Sequence, residues 1–423
     1  MPHSLSRNQI RYLLHFFFIT FLIDAGALAT PPPKSGKDEW PQWLGPNRDG
    51  ISAVTGLRKS WPESGAKVVW RQKLGEGYSG ISISQGRLFT LFSQGDEEFI
   101  VCLDAASGKE IWRVRSDSTY KDTNGNGPRS TPTIHNDRVY ALGGRGKLYA
   151  LRAKDGHKIW LRDLMVEFKS PGPSDTGGGG YGTSPLIEKE LLLVEAGGPG
   201  HAFIAFDKNN GQVKWQAESD SAAFSSPVAI TVNGIRQIVF FSGDGVVSLA
   251  PKDGRVYWRQ PWKTSYNVNA ATPLFIPPDR IFISSGYEVG ATLLKIKIQG
   301  SAITIEEIWK RKDIQNIFST SIRRGDYLYG FDKGTLKCIA FASGEEKWKQ
   351  RGFGHGSLLL ADGHLIILGD KGRLALVEAT PEAYREKTGA QIMEGRCITV
   401  PALAGGKLFM RNTQEIVCVD LVE

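Results

Sequence analysis

The sequence predicts an all-β fold, an eight-bladed β-propeller of four-stranded antiparallel blades. Three observations predict it. Seven tryptophans, Trp70, Trp112, Trp160, Trp215, Trp258, Trp309 and Trp348, recur at spacings of 42, 48, 55, 43, 51 and 39 residues, the period of a propeller blade. A glycine turn precedes most of them, as in Asp104-Ala105-Ala106-Ser107-Gly108 before Trp112 and Lys154-Asp155-Gly156 before Trp160. Between the markers lie short apolar–polar alternations separated by Gly-rich turns, such as residues 138–142 and 147–151 around Gly143-Gly144-Arg145-Gly146, the pattern of antiparallel hairpins.

Taken in order, the chain opens with Arg7 and Arg11 ahead of a mostly apolar run, residues 12–23, too short to span a bilayer. That is the pattern of a signal peptide, 1–29, with small residues Ala27 and Ala29 placing cleavage after Ala29. The alternative is an uncleaved anchor. An N-terminal extension, 30–66, follows, and the propeller occupies 67–423. Further turn-and-Trp copies stand at Asp207 to Gly211 before Trp215, Asp253-Gly254 before Trp258 and Ser343-Gly344 before Trp348. Each Gly is expected to supply positive φ, and each Trp to pack neighbouring sheets together. In blade 5, Gln299-Gly300-Ser301 replaces the usual turn. Blade 7 is expected to insert a capped helical turn over 380–387 and to keep a turn glycine at Gly389 without a Trp. After it only three strands remain, so residues 67–70 are expected to complete the eighth sheet and close the ring.

The 423 residues are 41% hydrophobic and 23% charged with a formal charge of +8, a folded globular composition rather than a disordered one. Lys and Arg are interspersed with acids and the leader sends the chain out of the cytoplasm, so nucleic acid is excluded as a partner. No segment after the leader approaches 18 apolar residues, so the product is expected to be periplasmic or secreted and, as a closed ring, monomeric. Cys102, Cys338, Cys397 and Cys418 form no CxxC pair and read as buried structural thiols. The glycine run in the 171–182 insertion, which also holds Asp175, lacks the Lys of a phosphate loop. That insertion is a lid or a flexible segment. Seven scattered His residues give no metal ligand set.

Residues 40–50, Trp40-Pro41-Gln42-Trp43-Leu44-Gly45-Pro46-Asn47-Arg48-Asp49-Gly50, together with Gly127-Pro128-Arg129-Ser130-Thr131-Pro132, Ser225-Ser226-Pro227 and the stretch 406–412, resemble the exported bacterial PQQ-like repeat β-propellers. The resemblance covers residues 40–422. It implies two directions: PQQ- and calcium-dependent quinoprotein alcohol or sugar dehydrogenases, or the protein-binding propeller subunit of outer-membrane assembly. The first needs a carboxylate base and hard-cation ligands at the ring mouth, and relatives there often carry a disulfide between neighbouring cysteines, which has no counterpart here. The residues leading into the first strands offer no carboxylate. Glu195 and Glu288 are the nearest acids, and with Arg129 and Asn269 they would form a reduced quinoprotein site. The favoured expectation is a non-catalytic scaffold binding a protein or envelope component.

A mouth ring is expected from Tyr78, Arg129, Tyr181, Phe224, Asn269, Asn316, His355 and Arg396. Two Arg and several amides there could hold an anionic or polyhydroxylated small molecule or a glycan; the alternative is that each side chain hydrogen-bonds its own turn.

Overall fold

The computed structural model describes residues 36–173 and 180–422. The signal peptide assigned to 1–29 and the Asp175 segment lie outside the described residues. The described strands form eight four-stranded antiparallel sheets, seven of them built in chain order from the inner to the outer strand. Blades 1 to 7 occupy residues 82–118, 133–163, 186–217, 228–261, 274–311, 322–350 and 357–391. In blade 8 the strands Ala402–Ala404, Lys407–Arg411 and Glu415–Asp420 are completed by Lys67–Lys73 as the outer strand, so the two ends of the chain close the ring as expected.

One register row runs through every blade. In blade 1 it is Ser82, Phe89, Cys102 and Trp112; in blade 8 it is Ala402, Phe409, Cys418 and Trp70. Every outer strand carries a bulge one step from this row, which adds twist and turns the Trp inward. All seven Trp side chains in it are mostly buried.

The repeat is explained by contacts between blades. The indole N–H of Trp112 donates to Ala153 O in the next blade at 3.0 Å, and those of Trp70, Trp160, Trp215, Trp309 and Trp348 reach carbonyls of the following blade in the same way. A Cβ on Gly156 would stand 2.8 Å from the Trp112 ring, and one on Gly108, Gly211 or Gly254 would collide with Trp70, Trp160 or Trp215. The turn glycine therefore does more than supply positive φ: it makes room for its neighbour's tryptophan. Where the turn changes, the contact changes. Blade 5 replaces it with a long hairpin, Gly290–Gln299 and Ala302–Arg311, and Trp258 of blade 4 donates to Gln237 Oε1 in its own blade instead.

Blade 7 corrects two expectations. Residues 380–385 form no helical turn, and Gly389 lies inside the outer strand Glu386–Gln391 rather than in a turn. Thr388 takes the Trp position, opposite Leu376. The blade that follows is the one closed by the chain ends, so it offers no turn glycine to receive an indole. Thr388 Oγ1 instead accepts the main-chain N–H of Trp61 at 3.2 Å.

Around the axis, the Ser/Thr–Pro steps stitch one blade to the next. Ser79 Oγ donates to Ser130 O, Thr133 Oγ1 to Pro185 O and Ser225 Oγ to Ala271 O, while Ser184 Oγ accepts from Thr131 N. The four cysteines are buried free thiols, and burial pushes each up to about 12, so they are inert packing groups.

Candidate functional site

Counting back four residues from the inner-strand member of the row gives the layer that rims the mouth: Tyr78, Arg129, Gly182, Phe224, Ala270, Phe318, His355 and Ile398. Tyr78, Arg129, Phe224 and His355 fall in the layer expected for them. Tyr181, Asn269, Asn316 and Arg396 stand one or two residues before it.

Asn269 and Asn316 bind the protein itself. Asn269 Nδ2 donates to Ser242 O at 2.8 Å and its Oδ1 accepts from Ser285 Oγ at 2.7 Å; Asn316 Nδ2 donates to Phe331 O and its Oδ1 accepts from Ser321 Oγ, both at 2.9 Å. Both are buried. Tyr181 is buried as well, its hydroxyl donating to Ser170 Oγ at 2.5 Å. These three are spent on bonds within the protein, and for Asn269 and Asn316 the partners include strand ends beyond the residue's own turn.

Tyr78, Arg129 and Arg396 do come together. The two guanidinium carbons lie 5.7 Å and 5.4 Å from the Tyr78 ring centroid. Arg129 is turned to its own loop: it donates to Gly125 O and Gly127 O and pairs with Asp122 at 3.5 Å, and burial holds its pKa below the usual value. Arg396 donates to Asn124 O at 2.7 Å and to Tyr78 Oη at 3.3 Å and remains exposed, so it keeps N–H groups for a ligand.

The acids proposed for a quinoprotein site do not converge. Glu195 ends the second strand of blade 3, fully buried; one oxygen accepts from Ala223 N at 2.8 Å, and burial pushes the carboxyl well above its ordinary range. Glu288 lies in blade 5, exposed and paired with Lys333, which holds it below that range. With Arg129 held by its own lead-in loop and Asn269 bonded to Ser242 and Ser285, these residues do not form a shared cradle for PQQ and calcium. Among the described residues no three His, Cys, Asp or Glu are grouped as a metal would need.

The other end of the axis is closed, which the sequence did not disclose. Residues 40–57 reach the inner strand, or the step leading into it, of all eight blades. Trp40 pairs with Ile83, Pro41 O accepts from Ile134 N, the Trp43 indole donates to Thr272 Oγ1 at 2.8 Å, a Cβ on Gly50 would meet Ile322, Ser52 N donates to Leu360 O and Ser52 Oγ to Leu403 O. For blades 3 and 4, Arg48 donates to Ser184 O and Pro227 O, at 3.3 Å and 2.9 Å, and to Pro185 O, while its Nε meets Gln42 Oε1 at 3.0 Å. The motif at 40–50 is therefore a plug. Its Gly45, at φ +80°, lies against the Trp40 ring, 2.8 Å from where a Cβ would stand.

A ring of four-stranded blades with one end plugged and a mouth at the other defines the class: a PQQ-like repeat propeller. The chain belongs to the outer membrane protein assembly factor BamB family, whose sequence profile matches residues 61–163 and 121–350. Similar proteins include BamB of Burkholderia pseudomallei, 24% identical over 85% of this chain and 89% of that one. BamB of Shewanella oneidensis is 21% identical over 75% and 79%. Among solved structures, BamB from Moraxella catarrhalis superposes with a TM-score of 0.58 at 13% identity, covering 84% of this chain and 97% of that one. A quinohemoprotein alcohol dehydrogenase from Pseudomonas putida gives 0.62 at 11%, covering 91% and 80%. At such identity these two superpositions speak for the fold alone.

Proposed function

We propose that this protein is a non-catalytic propeller of the cell envelope that binds protein partners through its mouth face. The observation that carries the reading is the surface of that face. Tyr266, Tyr287 and Phe318 are exposed on the mouth-side loops of blades 5 and 6, Tyr266 by 63%. Tyr266 and Tyr287 hold positive φ of 62° and 58°, a costly conformation for a tyrosine that pays for placing the ring outward. Exposed aromatic rings on fixed backbone are the usual anchors of protein interfaces. Relatives named as outer membrane assembly factors make an envelope protein the partner class. Export by residues 1–29 with cleavage after Ala29 belongs to the same proposal, and the N-terminal sequence of the exported protein tests it: a start at Thr30 supports it, an intact leader overturns it.

The docking test is site-specific photocrosslinking in cells, with the reactive residue at Tyr266 or Tyr287 and a control at Lys154 on the plug face. Envelope-protein adducts from the mouth positions and not from Lys154 support the proposal. No adducts, or equal adducts from both faces, overturn it.

A further inference from the structure

Between blades 6, 7 and 8 the mouth rim deepens into a pocket of about 470 Å³, within the range of small-molecule sites. Its apolar wall is Phe318 and Ile398, and the His355 ring meets Phe318 edge to face at 6.0 Å. These are three successive members of the rim layer. Phe318 is 38% exposed, a large apolar surface left open inside a concavity.

The charges around this wall come as two cations and two acids. Asp370 is a fixed post: its Oδ2 accepts from His355 N at 2.9 Å, its own N–H donates to Phe353 O and its carbonyl accepts from Cys397 N. Asp370 therefore ties the lead-in segments of blades 7 and 8 together, through its carboxylate to His355 and its main-chain carbonyl to Cys397, and holds the pocket shape. The Lys371 ammonium and the Glu394 carboxylate, both lining the pocket, have no hydrogen-bond or ion-pair partner among the described residues. Arg396 retains free N–H groups, as described above. A free cation, a free anion and an exposed apolar wall facing one space complement a ligand with both charges and an apolar body.

We propose that this pocket binds a short zwitterionic peptide or amino acid with an apolar side chain. Its carboxylate meets Arg396 and Lys371, its ammonium meets Glu394, and its side chain covers Phe318 and Ile398. The site shares Phe318 with the docking face proposed above but neither Tyr266 nor Tyr287, and its ligand is small, so the two readings are tested separately.

Calorimetric titration of the whole protein with the dipeptide Ala-Phe, beside the charge-blocked N-acetyl-Ala-Phe-amide, tests it. The zwitterion is expected to bind at least tenfold more tightly than the blocked form. Arg396→Ala with Lys371→Ala, and separately Glu394→Gln, are each expected to weaken Ala-Phe tenfold or more. All three groups are on the surface, and an unchanged melting temperature would separate lost binding from lost folding. Absence of binding, equal binding of the two peptides, or wild-type affinity in the charge variants overturns the proposal. If crosslinking at Tyr266 still succeeds in that case, the docking reading stands alone.

Discussion

Arg48 and Arg411 are buried cations held by carbonyl oxygens rather than by carboxylates. Arg411 donates to Leu91 O at 2.7 Å, to Ser79 O and to Gly75 O, and burial brings both guanidinium groups down to about 9. Removing such a group leaves its acceptors desolvated and unpaired. Arg48→Met is therefore expected to cost about 2–4 kcal/mol and to free the 40–57 segment, read as a lower denaturation midpoint and new protease cleavage before residue 58. Glu98 is the complementary case. It accepts from Gly144 N and Ser116 Oγ, and burial raises its pKa from 4.5 to about 7. The folded state then holds a proton that the unfolded state releases near pH 4.5. Stability from this group is complete below that value and lost as pH rises through 7, by about 3 kcal/mol for a shift of this size. Urea denaturation at pH 5 and pH 8 should show wild type losing more stability than Glu98→Gln; identical differences would refute the assignment. None of the three was legible in the sequence as a buried charge. Arg48 was visible only as a motif letter, because its carbonyl acceptors lie more than a hundred residues away and carry no side-chain signature.

At the scale of the element, the unit that repeats is a contact between blades, one blade's Trp against the next blade's turn. Gly156→Ala and Gly300→Ala separate the two duties of a turn glycine. Both positions have positive φ, 72° and 60°, but only at Gly156 does a tryptophan stand where Cβ would go; Gly300 has open space. Gly300→Ala is expected to cost about 1 kcal/mol for backbone conformation alone, and Gly156→Ala about 2–3 kcal/mol more through the clash, measured by chemical denaturation. Equal costs would show that the indole yields freely. The sequence revealed the Trp period and the blade count because both are local and repeated. It hid the reason Thr388 replaces a tryptophan, which is the missing turn in the neighbouring blade. The mouth layer was half legible for a related reason. The row that sets this layer comes from strand pairing, so the residues chosen from the sequence matched Tyr78, Arg129, Phe224 and His355 but took Tyr181, Asn269, Asn316 and Arg396 in place of Gly182, Ala270, Phe318 and Ile398, the last two of which line the pocket.

For the molecule as a whole, closure depends on residues from both ends of the chain. Lys67–Lys73 pairs with Glu415–Asp420, and Arg411 of blade 8 donates into blade 1. A chain ending at residue 414 would leave the outer strand Lys67–Lys73 without a partner and expose the edge of Lys407–Arg411. It is expected to aggregate or to lose cooperative unfolding, whereas a chain trimmed only before residue 36 should melt like the described fold. Light scattering and a thermal scan check both outcomes. The plug gives this dependence an order in time. Residues 40–57 are made before any blade, yet their partners run from Ile83 in the first blade to Leu360 and Leu403 in the last two. The plug can find Ile83 and Ile134 early but completes its contacts only when nearly the whole chain has been made, so the ring shuts late.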